Sequence, residues 1–288
     1  MVIERFMNAA VSQLIEMALK EDIGSGDVTS EYFVPADRQA RAFINAREDG
    51  VIAGTEVALE VFKRVSSELE VRILLEDGSR VSHGALVMEI SGSARAILTA
   101  ERTALNFMQR LSGVATLTNQ FVELVKNTNA EILDTRKTTP GWRLLEKEAV
   151  LAGGGTNHRM GLYDRAMVKD NHLVAEGNLQ GLQEAILRLK SEHPKVGVEL
   201  EADTLEQVRE FLTLEGVDYI LLDNMSLTEL SEAVRMREGN SPALEASGGV
   251  NLSTVQEIAQ SGVDFVSVGA VTHSAVGLDL GLDFVDGE

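Results

Sequence analysis

YILLDNMSLTELSEAVRMREGNSPALEASGGVNLSTVQEIAQSGVDFVSVGA, residues 219–270, carries the reading of the fold. Three short apolar runs lie in it, at 219–224, 244–247 and 265–269. Between them sit SLTELSEAVRMR (226–237) and NLSTVQEIAQSG (251–262), whose apolar residues recur at helical spacing. A strand, a loop and a helix, repeated at a fairly steady period, specify βα units and a parallel sheet.

The pattern extends upstream. Apolar runs at 131–135, 166–170 and 196–202 precede it, and TLEQVREFL (204–212) supplies another helical segment. Six such units in series predict a closed or partly closed (β/α) barrel. A doubly wound open sheet is the rival, but no Gly-x-Gly-x-x-Gly fingerprint follows a strand.

Nearer the start the pattern differs. Met7, Val11, Leu14, Ile15 and Ala18 recur at helical spacing, and Gly24 can end that helix. Residues 40–98 read mostly as strand and turn; LEVRILLEDGSRVSHGALVMEI (69–90) alternates around the turn dipeptide Asp77-Gly78. From Thr99 a long helical segment begins, with an interruption expected at Ser112-Gly113 and a domain boundary near it. The expected division is a first domain over 1–112, joined by a returning C-terminal strand within 275–288, and a barrel over 113–274. The alternating VGLDLGLDFV (276–285) is the candidate for that strand.

Composition bounds the function. The 288 residues carry a formal net charge of -19, are 44% hydrophobic and contain no cysteine. Nucleic acid is not an expected partner, because phosphate backbones need clustered Lys and Arg. Disulfides and thiolate metal sites are excluded. The first residues, with Glu4 and Glu16, do not read as a secretory signal, and no apolar run is long enough to span a membrane. A cytoplasmic protein without a membrane partner is expected.

In a barrel of this type, chemistry sits at the C-terminal ends of the strands. The first run ends in Asp134, Thr135, Arg136 and Lys137, and the second in Lys169, Asp170, Asn171 and His172. The third carries Glu199 and Glu201, the fourth ends in Asp223 and Asn224, and the last two end in Ser247-Gly248-Gly249 and Gly269-Ala270. One charged strand end is usually a cap or a solvated loop. Six in phase point to a shared polar site. Arg136, Lys137, Arg159 and Lys169 are cations suited to carboxylates or phosphates. Glu201 and Asp223 can hold Mg²⁺ directly or through water, or bind ribose hydroxyls. Glycines between strand and helix let a backbone approach a phosphate, with the following helix N-terminus presenting free N–H groups. The cluster at 153–155 lacks the Gly-Lys-Ser/Thr ending of a nucleotide-binding loop. No His pair at metal-ligand spacing suggests zinc. The set suits transfer of a phosphorylated sugar to an acidic acceptor.

The motifs carry a resemblance. GDVTS (26–30), ERTALNFMQRLSGVAT (101–116), DTRKTTPGWR (134–143), GGGTNHRMGLYDRAMVKDNH (153–172), VELEADTLEQ (198–207), LLDNM (221–225), EASGGVN (245–251) and VSVGAVTHS (266–274) occur in this order. Together they resemble the quinolinate phosphoribosyltransferases, also called nicotinate-nucleotide pyrophosphorylases, over nearly the whole chain. One departure is an extra residue between Glu201 and Asp223, near TLEGVD (213–218).

The resemblance implies an N-terminal α/β sandwich domain plus an open, incomplete (β/α) barrel. It implies that quinolinate and phosphoribosyl pyrophosphate give nicotinate mononucleotide, pyrophosphate and CO2, with Mg²⁺, in NAD biosynthesis. It further implies a homodimer, with any higher assembly left open. Arg136, His158, Arg159 and Lys169 then match the quinolinate-binding set, and Arg102 the arginine donated across the dimer. Lys137, Glu201 and Asp223 match the residues that serve phosphoribosyl pyrophosphate and its metal; Ser247, Gly248, Gly249, Gly269 and Ala270 match the phosphate-binding loops. Three rivals stay open: the same fold acting on another base, including paralogues associated with molybdate-uptake operons; a Schiff-base aldolase using Lys137 or Lys169; and a non-catalytic sugar-phosphate binder.

Overall fold

The structure is a computed structural model that describes residues 9–169 and 179–285. Met7 and Glu4, and the expected strand-end residues Asp170, Asn171 and His172, lie outside them. Contact density divides the chain into two compact units. The first runs through Asn119 and includes Thr138–Gly154 and the tail from Ser274; the second comprises Gln120–Lys137 and Gly155–His273.

In the first unit, helix α1 (Ala9–Ile23) buries Val11 and Ile15 and stops at Gly24, whose φ is 55°. Two short strands, β2 (Gly50–Val51) and β4 (Arg80–Val81), pair with each other, and the alternating region forms β1 (Gln39–Ala46), β3 (Glu70–Ile73) and β5 (Leu86–Ser93). They build a four-stranded sheet of order β12-β1-β5-β3. Its edge strand β12 (Leu280–Phe284) comes from the tail and pairs antiparallel with β1, Ile44 opposite Leu282. The period-two pattern of 276–285 therefore does produce the returning strand.

The expected break at Ser112-Gly113 does not occur. One helix, α4, runs unbroken from Ala94 to Val125. (Helices α2, Val28–Phe33, and α3, Thr55–Val65, precede it.) The two residues serve packing instead. Ser112 Oγ accepts the amide of Ala53 at 3.0 Å and donates to its carbonyl at 3.1 Å. A Cβ on Gly113 would collide with the carbonyl of Val276, so the tail can cross the helix only over a glycine.

The second unit holds six strands: β6 (Glu131–Leu133), β7 (Arg165–Val168), β8 (Gly197–Ala202), β9 (Tyr219–Asp223), β10 (Ala243–Ser247) and β11 (Phe265–Ser267). Their order is β6-β11-β10-β9-β8-β7, and every described pairing is parallel. From β7 to β11 neighbours in space are neighbours in sequence. That order has no reversal point, which rules out the doubly wound rival. The first strand pairs with the last, as in a barrel, but among the described residues β6 and β7 do not pair. Thr156 takes that edge of β6 instead, through an isolated parallel bridge to Leu133. The architecture is an α/β sheet domain and an open, incomplete (β/α) barrel.

Short loops fix where the strands end. β8 stops at Ala202, and Thr204 caps the next helix by accepting from the amide of Gln207 at 3.2 Å. β9 stops at Asp223, and Ser226 caps its helix in the same way through Glu229. Each is a capping box that halts the strand and starts the helix within a few residues. Gly216, at φ 84°, turns the chain within 213–218 just before β9.

Candidate active site

The C-terminal ends of the six strands converge on a cavity of about 740 Å³ within the second unit. Arg136 and Lys137 line it from the end of β6, and Lys169 from the end of β7. Glu201 comes from β8 and Asp223 from β9, with His158 and Arg159 from the segment before β7. Ser247, Gly248, Gly249, Gly269 and Ala270 complete the lining. Twelve of the thirteen residues expected from the sequence therefore meet in one place. Arg102 does not; it is exposed on α4 in the first unit, with Nη2 3.9 Å from Glu101 Oε1. A larger cleft of about 1340 Å³ belongs to the first unit. It contains none of the strand-end set, and size alone assigns it no chemistry.

Two of the cations are close neighbours. Arg159 sits in a desolvated place beside Arg136, and burial together with that second guanidinium lowers its pKa. Its Nη1 donates to the carbonyl of Arg165 at 3.1 Å. Two crowded guanidiniums on a chain of net charge -19 are a cost that a bound anion removes. Lys169 Nζ and Glu201 Oε2 form a close ion pair.

The glycine loops differ in detail from expectation. After β10, helix formation waits until Val255, so the Ser247–Gly249 turn is not itself a helix N-terminus. Gly248 and Gly249 adopt φ of 98° and 60°, which L side chains rarely reach. What this turn offers is exposed backbone. After β11, Gly269 lets the chain pass close to Lys137 and His273: a Cβ there would lie 3.1 Å from Lys137 Cδ and 3.3 Å from His273 Nε2. Thr272 Oγ1 donates to the Lys137 carbonyl at 2.9 Å, which ties the lysine's loop to the last unit.

Beneath the cavity lies a charged cluster that the sequence reading only half identified. Glu199 and Glu245 are both fully buried. His158 Nε2 lies 3.3 Å from Glu199 Oε2 and 3.4 Å from Glu245 Oε1. Arg165 Nη1 lies 3.7 Å and 3.9 Å from the two acids, its guanidinium stacked 3.9 Å above the Tyr219 ring. Glu245 and Arg165 escaped the sequence reading because neither is at the C-terminal end of a strand. The available signal was Glu245 two residues before Ser247, the same alternation that places Glu199 before Glu201.

Burial opposes a charge on His158, but hydrogen bonds to and charges on the two acids outweigh it and lift its pKa to about 9. Against this, Nδ1 lies 2.6 Å from the Arg159 amide, a bond that a ring protonated there cannot accept. Charge balance reconciles the two. Two carboxylates and Arg165 sum to minus one around a neutral ring, so the cluster holds one extra proton. Ring and Glu245 share it, the latter pushed up by burial. His158, Glu199 and Glu245 also have donor atoms close enough to hold a metal ion. The fixed guanidinium of Arg165 beside them makes a proton the better occupant.

The sign of the pH effect follows. An unfolded histidine releases its proton near pH 6.5. The folded cluster keeps it to about pH 9. Its stabilisation, about 3 kcal/mol, is complete below pH 6.5 and is lost as the pH rises through 9. The wild-type melting temperature should therefore decline over that window. Glu245→Gln should be less stable at pH 6.5 and show a flatter decline; parallel slopes in the two proteins would rule the assignment out.

Comparison with known proteins places the chain. The quinolinate phosphoribosyl transferase C-terminal domain family matches residues 114–283, and the corresponding N-terminal domain family matches residues 27–112. The chain belongs to the quinolinate phosphoribosyltransferase family. It is 43% identical over 279 residues to the nicotinate-nucleotide pyrophosphorylase (carboxylating) of Mycobacterium leprae (strain TN), covering 95% of this chain and 97% of that one. It is 42% identical over 288 residues to the mitochondrial quinolinate phosphoribosyltransferase (decarboxylating) 2b of Nicotiana tabacum, covering 94% and 81%. The solved structure of the nicotinate-nucleotide pyrophosphorylase from Francisella tularensis superposes with a TM-score of 0.90 at 37% identity, covering 97% of each chain. Within this family, the cavity at the strand ends is the candidate place of reaction.

Proposed function

We propose that the strand-end cavity carries out the family reaction, in which quinolinate and phosphoribosyl pyrophosphate give nicotinate mononucleotide, pyrophosphate and CO2. The observation that supports this most directly is the gathering of both kinds of charge in one cavity. Arg136, Lys137, Arg159 and Lys169 line it together with Glu201, Asp223 and open glycine backbone, Lys169 being paired with Glu201. Quinolinate is a dianion, and several cations are needed to hold two carboxylates. His158 lines the same cavity. The ribose and phosphates of the donor suit the carboxylates and the glycine backbone.

Glu201 and Asp223 end adjacent parallel strands, and both are carboxylates, the hard oxygen donors that Mg²⁺ takes. They fit an ion held by one or two carboxylates together with substrate phosphates. Mg²⁺ bound there would neutralise pyrophosphate charge. The chain's own residues supply the rest. The quinolinate ring nitrogen displaces pyrophosphate at the anomeric carbon. Lys137 meets the charge growing on the leaving group, and Glu201 and Asp223 meet the positive charge growing on the ribose. The quaternised nitrogen then accepts the electron pair left when the neighbouring carboxylate departs as CO2, and a proton replaces it. No side-chain nucleophile is needed.

A homodimer is part of the proposal, with Arg102 of each protomer reaching the other's cavity. Its support is the exposure of Arg102 and the family match. Among the described residues no helix is long and apolar enough to cross a membrane. A cytoplasmic location is proposed from the near full-length match to the bacterial relative, and cell fractionation tests it. The activity itself is tested by incubating purified protein with carboxyl-labelled quinolinate, phosphoribosyl pyrophosphate and Mg²⁺. Labelled CO2 and nicotinate mononucleotide should appear in equal amounts. Turnover of nicotinic acid instead would point to the other-base rival, and no turnover of either would refute the assignment.

A further inference from the structure

We infer that Asn224 is a positioning residue that locks the Asp223 carboxylate and the Ser247–Gly249 turn into one register. The inference rests on the reading above, in which Asp223 and that turn both serve the phosphoribosyl donor.

Asn224 is the one non-glycine residue with positive φ among the described residues, at 52°. A left-handed conformation is unfavourable for L residues, less so for asparagine, and costs glycine almost nothing. Glycine would make this turn more cheaply, so the asparagine side chain calls for a use. It has two. Nδ2 donates to Asp223 Oδ2 at 2.7 Å. Oδ1 occupies the space that a side chain on Gly248 would need: a Cβ built there would lie well inside van der Waals contact distance of it. The backbone completes the lock, since Asn224 N–H donates to the Ser247 carbonyl at 2.9 Å. Asp223 and Ser247 are register partners on β9 and β10, so all three contacts act at one rung. One amide thus spans two neighbouring strand ends. It holds the carboxylate by one end and seats the glycine turn by the other.

Asn224 touches no reacting atom, so it acts by orientation. A donor is bound by a carboxylate and a turn at the same time, and small misplacement of either is costly. Asn224→Gly is the discriminating change. It keeps the left-handed backbone and the N–H bond to Ser247 and deletes only the amide. The KM for phosphoribosyl pyrophosphate should rise about tenfold, the loss of one hydrogen bond to a charged group. The KM for quinolinate should stay within about twofold. The second arm is Gly248→Ala. In the wild type its methyl meets Asn224 Oδ1; the Asn224→Gly background removes that clash, while the Asn224 backbone nitrogen 3.0 Å away and the positive φ of residue 248 disfavour Ala in both backgrounds alike. The double variant should therefore bind the donor better than independent effects predict.

Asp223→Asn, measured alongside, separates the inference from its foundation. If that variant leaves the donor KM unchanged, the reading of Asp223 fails. If it raises the donor KM while Asn224→Gly does not, positioning by Asn224 is refuted. Equal movement of both KM values in Asn224→Gly, or strict additivity with Gly248→Ala, would also overturn it.

Discussion

Lys137→Ala should lower kcat by about a hundredfold to a thousandfold, the usual loss when one preorganised charge is removed from a developing anion. The KM for quinolinate should change little. The argument starts from geometry. Arg136 and Lys137 are adjacent, yet the cavity uses them differently: Arg136 lies with Arg159, whose pKa it depresses, while Lys137 lies against the Gly269 backbone. Gly269 and Ala270 belong to the loops assigned to phosphate. Thr272 anchors the lysine's own carbonyl there, so the ammonium needs little reorganisation as pyrophosphate departs. An interaction made chiefly in the transition state appears in kcat and kcat/KM together. Single-turnover rates of CO2 release measure it. An unchanged kcat with a raised quinolinate KM would mean that Lys137 holds quinolinate instead.

The second large effect concerns two chains at once. Arg102→Ala should be nearly inactive, since removing one partner of a desolvated charge pair costs about 2–5 kcal/mol. Lys169→Ala should be nearly inactive for the same reason on the same substrate. Mixed and reassociated, the two should regain activity. In a twofold dimer with Arg102 shared across the interface, each heterodimer has one doubly defective site and one intact site. Random pairing makes half the dimers heterodimers, so about a quarter of wild-type activity should return. Failure to regain it, with heterodimers demonstrated by mass, would place Arg102 outside the partner's cavity. Each single variant measured alone sets the baseline.

The barrel was legible because its signal is local. Each of the six apolar runs became a strand, and most of the described polar residues at their ends line one cavity, Asp134 and Glu199 being buried instead. Alternation at 276–285 likewise sufficed to predict β12. What local reading could not supply was the use made of a residue by something distant. Ser112 and Gly113 look like a helix break, and in isolation they weaken a helix. Their neighbours Ala53 and Val276 are about sixty and more than one hundred and sixty residues away, and packing against them overrode the propensity. Glu245 and Arg165 were missed because burial of a charge is visible only once its partners are placed. Asn224 was seen as a strand-end polar residue, but its φ and its contact with Gly248 belong to three dimensions.

The four-stranded sheet has a consequence for how the chain comes to be folded during synthesis. Its second strand, β1, leaves the ribosome before any barrel strand, and its edge strand, β12, only after all of them. Domains that are continuous in sequence can fold as they emerge. This one cannot be completed that way: β1 shows an unpaired edge for as long as the whole barrel takes to be translated. An exposed strand edge invites pairing with other chains. Whatever shields β1 in that interval acts on a nascent chain, and a premature stop anywhere in the barrel would leave the first unit open as surely as a lesion within it.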